Sequence, residues 1–187
     1  MPTTSFRPTR KALAALFAVA AIATTTAGVT ASSSQAAGTR PVLKVPFPCQ
    51  QTWRGNAWVG HDPALAIDFN QGSGDSDKGM PVKASASGTV LDVTISDAHG
   101  YGNRVLIGHG DGWRSFYAHL EDGSITVREG DHVTETTTIG KVGKSGQQEY
   151  SHLHYEQRLY NEVKPIRFGT STWVDYGTEQ LYTRTNC

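Results

Sequence analysis

From Val42 onward the chain almost never sustains a helical period; its apolar runs are short and are cut at close spacing by Gly, Asp and Asn. Runs of that kind can cover one face of a pleated strand but cannot lay down the continuous stripe that buries a helix. An all-β fold is therefore expected, with strands over 65–70, 81–84, 88–96, 103–108, 115–119, 138–143 and 152–158. Turn-forming clusters such as Gly108-His109-Gly110-Asp111-Gly112 and Glu121-Asp122-Gly123 separate them. With 187 residues, 37% of them hydrophobic, the chain has room for one ordinary core and little left for a second.

The N-terminal stretch has a different character. Arg7, Arg10 and Lys11 precede an uninterrupted apolar run over 12–23, which is short for a permanent membrane anchor. Ser34-Gln35-Ala36 then offers a small-x-small cleavage pattern, with Val29-Thr30-Ala31 as a second choice. Residues 1–36 read as a signal peptide, 37–41 as a linker or short pro-segment, and 42–187 as the folded domain. The mature protein is expected to be exported, soluble and monomeric, with no stable membrane insertion. Loss of 1–36 removes three basic side chains and no acidic one, so the seventeen of each sign become fourteen against seventeen, a formal charge of −3. A mildly acidic domain is a poor nucleic-acid binder. Cys49 and Cys187, at opposite ends of the mature chain, are expected to pair in an oxidising compartment. Neither has the neighbouring ligand that a zinc knot requires.

The chemistry concentrates in a few places. In Ser151-His152-Leu153-His154-Tyr155-Glu156, residues two apart share a strand face, so His152 and His154 point one way while Leu153 and Tyr155 point into a core. Such a pair can ligate a metal jointly, or one can ligate while its neighbour handles protons; two hydrogen-bonded surface histidines would look the same. In 65–70, Leu65, Ile67 and Phe69 alternate with Ala66, Asp68 and Asn70, which turns Asp68 away from the core. A carboxylate there is either solvated or partnered, and a metal is one good partner. His61, seven residues earlier beyond a loop containing Pro63, can swing back to it. Two histidines and one carboxylate leave a coordination position open, the pattern of catalytic zinc. His119 closes Phe116-Tyr117-Ala118-His119-Leu120 at a strand end. His99, His109 and His132 lie in apparent turns without partner spacing and receive no role.

Taken in order, Gly79-Met80-Pro81-Val82-Lys83-Ala84, Gly88-Thr89-Val90, Tyr101-Gly102-Asn103-Arg104-Val105, Tyr117-Ala118-His119-Leu120, Gly130-Asp131-x-Val133, Ile139-Gly140-x-Val142-Gly143 and His152-Leu153-His154-Tyr155-Glu156 resemble successive segments of the lysostaphin-type (LytM-like) zinc metallopeptidases. The resemblance spans roughly His61 to Pro165. It implies antiparallel sheets in a duplicated, barrel-sandwich-like hybrid motif. It also implies one zinc ion held by His61, Asp68 and His154, with His119 and His152 acting in catalysis. The seven-residue gap from His61 to Asp68 is longer than the commonest family spacing and is similar to the β-lytic branch. The family uses a tyrosine near the oxyanion; none precedes His61 in the mature chain, so a downstream one such as Tyr176 is expected to serve.

The expected activity is a secreted, cell-wall-associated zinc metalloendopeptidase acting on the stem or cross-bridge peptides of bacterial peptidoglycan. No His-Glu-x-x-His segment is present, so histidine rather than a helix-borne glutamate must act as base. Two other classes compete. A metal-free binding or regulatory domain of the same fold would be expected to lack some of the five positions, all of which are present. A sugar-transport phosphocarrier, which resembles this fold, works in the cytoplasm and is at odds with a signal peptide.

Overall fold

The computed structural model describes residues 1–3, 38–95, 98, 100–185 and 187. Apart from its first three residues, the expected signal peptide therefore lies outside the described residues, as do His99 and the last position of the expected strand 88–96. Among the described residues there is no helix, and so none long and apolar enough to cross a membrane.

The strands in chain order are β1 (Thr52–Asn56), β2 (Ile67–Asn70), β3 (Pro81–Lys83), β4 (Gly88–Thr94), β5 (Arg104–Gly108), β6 (Trp113–Ala118) and β7 (His132–Val133). They continue with β8 (Thr138–Lys141), β9 (Leu153–Leu159), β10 (Glu162–Lys164), β11 (Arg167–Phe168), β12 (Thr172–Trp173) and β13 (Glu179–Thr183). All seven expected strands are present, with ends moved by one or two residues. The others are mostly two or three residues long, too short to show an alternation.

One large antiparallel sheet runs β13-β1-β2-β9-β6-β5-β4-β7, with β10 returning along β9; β3 pairs with β8 and β11 with β12. The all-β, antiparallel expectation thus holds. Strand β9 is central, hydrogen-bonded to β2 on one edge and β6 on the other. Its odd residues Leu153 and Tyr155 are sealed in the core with Ile67 and Phe69 of β2 and Tyr117 of β6. Burying large apolar side chains of this kind contributes about 1.5 to 3 kcal/mol each before chain entropy is counted, which fixes the register of the three strands. A one-residue slip of β9 would drive His154 into that core.

One detail of the expected alternation fails. Leu65 is only half-buried and Ala66 is fully buried, because β2 begins at Ile67 and the two preceding residues belong to a loop. The β9 face opposite the core is also more enclosed than a one-sided strand would be, with His154 and Glu156 both buried.

Within the unit from 38 onward, the first described residues are tied to the rest of the fold. Phe47 stacks on Trp53 with ring centroids 3.6 Å apart. Within the stretch read as linker, the Gly38 carbonyl accepts from Trp113 Nε1 at 3.0 Å and the Arg40 guanidinium lies 4.1 Å over the same ring. Cys49 and Cys187 form the expected disulfide, their Cα atoms 5.9 Å apart across a separation of 138 residues. In the chain-entropy account, closing so long a loop restricts the unfolded chain by up to about 4 to 5 kcal/mol.

Candidate metal centre and cleft

Sheet register aligns the first two donors. Asp68 of β2 is paired with His154 of β9, and His154 in turn with Ala118 of β6, so a carboxylate and an imidazole lie side by side on the non-core face. Asp68 Oδ1 is 3.1 Å from His154 Nδ1. The loop between β1 and β2 brings in the third. His61 Nε2 comes within 2.9 Å of Asp68 Oδ2, while its Nδ1 is 3.2 Å from the Pro63 carbonyl. The long spacing between His61 and Asp68 is taken up by this loop, whose end is closed by the Ala66 amide donating to Pro63 O at 3.0 Å.

Ligand atoms of His61, Asp68 and His154 all lie within 4.8 Å of one another, close enough to share one ion. The electrostatics fit a cation. Burial alone would raise the Asp68 carboxyl, but hydrogen bonds from His154 and His61 outweigh it and hold the group well below the usual carboxylate range. Burial alone would depress His154, yet Asp68 on one ring nitrogen and Glu156 on the other raise it. An imidazole with a carboxylate at each end is a position built for positive charge. Two nitrogen donors and one oxygen donor also match the ligand preference of zinc.

Across the cleft stand the remaining two histidines, their ring centroids 4.7 Å apart. His119 Nδ1 is 3.0 Å from the Ser145 carbonyl and His152 Nδ1 is 3.1 Å from that of Tyr150. A carbonyl only accepts, so each neutral ring carries its proton on Nδ1 and leaves Nε2 as acceptor. His152 Nε2 reaches to 3.9 Å from Asp68 Oδ1. His119 is held down to about 3, first by burial and then by the neighbouring His152 and His154. It sits just past β6 in the left-handed backbone region (φ 59°), where its amide donates to Tyr101 O at 2.9 Å.

These five side chains line one cleft of about 370 Å³, completed by Trp58, Asp62, Gly100, Tyr101 and Gln148. Two features of its wall carried no expectation from sequence. Ser151, immediately before His152, is pinned by loop 71–79: its amide donates to Asp75 Oδ1 at 2.9 Å and its hydroxyl to Asp77. Behind His154, Glu156 is fully buried, 2.9 Å from His154 Nε2 and 2.6 Å from Arg158 Nε. Glu156 was legible in principle, since it continues the file of alternate residues from His152 and His154. The Asp75 and Asp77 contacts had no periodic signal to announce them.

Other expectations do not reach the cleft. Tyr176 spends its hydroxyl elsewhere, donating to Leu65 O at 3.1 Å and accepting from the Ile166 amide at 2.8 Å. The tyrosine that does line the cleft is Tyr101, whose hydroxyl is pushed up to about 12 by burial and by the negative charge of Glu156. His109 and His132 lie outside it, the latter exposed and 3.1 Å from Thr89 Oγ1.

A sequence model of Peptidase family M23 matches residues 66–166, more than half of the chain. That span contains Asp68, His119, His152 and His154; His61 lies before it and is tied to the site by geometry. The DD-carboxypeptidase/endopeptidase Mpg of Neisseria meningitidis serogroup B is 38% identical over 96 residues, covering 51% of this chain and 21% of that protein. The murein hydrolase activator NlpD of Salmonella typhimurium is 34% identical over 92 residues, covering 49% and 23%. The chain thus spans less than a quarter of the length of either. A zinc-containing peptidase from Vibrio cholerae superposes with a TM-score of 0.52 over 67% of this chain and 39% of that one, at 24% identity, which identifies a shared fold.

Proposed function

Because the chain belongs to peptidase family M23, we propose that it is an exported zinc metalloendopeptidase that hydrolyses peptide bonds in the stem or cross-bridge peptides of bacterial peptidoglycan. The observation that carries this reading is the convergence of His61, Asp68 and His154 on one cleft that also receives His119 and His152. A cleft of about 370 Å³ is of a size to take a few small residues of a peptide. The similarity to an endopeptidase acting under the name Mpg supports the substrate class.

His61 Nε2, Asp68 and His154 Nδ1 would hold the ion. When bound, zinc supplies a Lewis acid for the scissile carbonyl and lowers the pKa of an attached water to about 7. The chain's own residues manage the protons. Either His119 or His152 takes a proton from the attacking water at its Nε2, since in both rings Nδ1 is committed to a backbone carbonyl. The resulting imidazolium then returns that proton to the departing amine, so the C–N bond breaks without releasing an unprotonated amide. Its partner would take a separate proton from solvent at Nε2 beforehand and hydrogen-bond through it to the developing oxyanion.

The similarity to an activator, NlpD, favours one second reading, a metal-free domain that regulates other wall enzymes. Metal analysis and digestion separate the two. The expected outcome is one zinc per chain and newly released muropeptides, identified by mass spectrometry, whose production stops with chelator and returns with zinc. Protein that binds no zinc and releases no fragment from any peptidoglycan overturns the proposal in favour of the regulatory domain.

A further inference from the structure

We propose that Glu156 is a positioning residue for the metal, fixing His154 so that Nδ1 rather than Nε2 faces the ion. This inference rests on the zinc reading above. A fully buried carboxylate persists only where donors repay its desolvation, and here one meets each of its oxygens. His154 Nε2 lies 2.9 Å from Oε1 and Arg158 Nε lies 2.6 Å from Oε2. Each donor is itself held. The Arg158 guanidinium lies 4.1 Å over the Phe116 ring, and Tyr101 meets Phe116 edge-on at 4.9 Å and His154 at 5.2 Å.

The consequence for His154 follows from its two-ended chemistry. A neutral imidazole has one N–H and one lone pair. An acceptor locked at Nε2 keeps the proton there, so the lone pair stands at Nδ1, the nitrogen 3.1 Å from Asp68. The ring is fixed in orientation as well as in tautomer. Outer partners of this kind are worth about ten- to a hundredfold in metal affinity. The alternative is that Glu156 and Arg158 form a buried ion pair that only supports the strand.

Glutamine is the informative replacement. A carboxylate can accept from His154 and Arg158 together, whereas an amide must turn its NH₂ toward one of these two donors. Zinc dissociation constants would be measured by competition with a chromophoric chelator for wild type, Glu156→Gln and Glu156→Asp, alongside melting of the chelator-treated proteins. About ten- to a hundredfold weaker zinc binding by folded variants is expected, because Asp is too short to reach both partners. Variants that melt lower yet bind zinc as tightly as wild type would reduce Glu156 to a structural ion pair. Should Glu156→Gln not fold, Glu156→Asp carries the comparison. Nitrogen NMR of the zinc-loaded wild type needs no variant: a proton on His154 Nε2 is expected, and a proton on Nδ1 overturns the inference while leaving the zinc reading intact. Wild-type protein without stoichiometric zinc overturns both.

Discussion

Two buried polar clusters, each built around a histidine, differ in what they leave unbalanced. Around His154 the partners are carboxylates, Asp68 at Nδ1 and Glu156 at Nε2, and the ring is raised above its usual value in spite of burial. Around His109 the partners are neutral. Nδ1 is 2.9 Å from Ser87 O, Nε2 is 2.7 Å from Ser115 Oγ, Ser115 Oγ is 2.8 Å from the Tyr117 hydroxyl, and that oxygen accepts from the Ser85 amide at 2.8 Å. Every donor finds an acceptor along that chain, and burial lowers the His109 pKa. Burial pushes both rings the same way, so the sign of the net shift is decided by the charge of the partners. A cluster that closes on neutral groups is structural; one that holds excess negative charge beside a cleft is equipped for a cation.

The contrast breaks if metal and activity do not depend on the charged cluster, and the largest effects are expected there. His154→Ala and His61→Ala should each reduce zinc from one per chain to background and abolish peptidoglycan cleavage, as read by metal analysis and muropeptide release. Full zinc and activity in His61→Ala would mean that the β1–β2 loop does not supply a ligand. Next in size are the two cleft histidines that donate to backbone carbonyls. His119→Ala and His152→Ala should retain stoichiometric zinc and a normal fold while turnover falls about a hundred- to ten-thousandfold, the usual loss for one positioned acid or base. Zinc lost from His152→Ala but kept by His154→Ala would reverse the two roles.

How much of this could be read beforehand follows from what each residue depends on. Strands β2 and β9 are legible because apolar residues alternate along them, and that alternation alone turns Asp68, His152 and His154 away from the core; β6 is legible as a short apolar run between turns. Which residues then meet is a matter of register, and the pairing of Asp68 with His154 is set by the fit of Ile67, Phe69, Leu153 and Tyr155 in the core, which no local pattern displays. Loops were less legible still. Sequence shows only that His61 can reach Asp68; alternation places Leu65 in the core although β2 starts after it, and the resemblance places Tyr176 in a cleft that Tyr101 lines. His109 looked like an isolated turn residue because its partner Ser115 sits on the next strand, six residues on, and faces it only once β5 and β6 have paired.

Smaller effects are expected in the neutral cluster, and they sharpen the distinction because they fall on stability alone. His109→Ala leaves the buried Ser115 hydroxyl without its acceptor, which costs about 1 to 3 kcal/mol; zinc content and turnover should stay at wild-type values. The finest test is the pH dependence of that stability. With its folded pKa lowered by burial, His109 takes up a proton more readily in the unfolded chain than in the folded one. Its contribution is fully present above the unfolded value of about 6.5 and is lost as the pH falls from there toward the folded value. Denaturant melts between about pH 7.5 and 5 should therefore show wild type losing stability relative to His109→Ala as the solution is acidified, the gap narrowing with each step. His132→Ala, at an exposed ring hydrogen-bonded to Thr89, should follow wild type within about 0.5 kcal/mol throughout. A gap between wild type and His109→Ala that stays constant across this range would mean that the His109 ring titrates alike in both states, and the electrostatic half of the contrast with His154 would be lost.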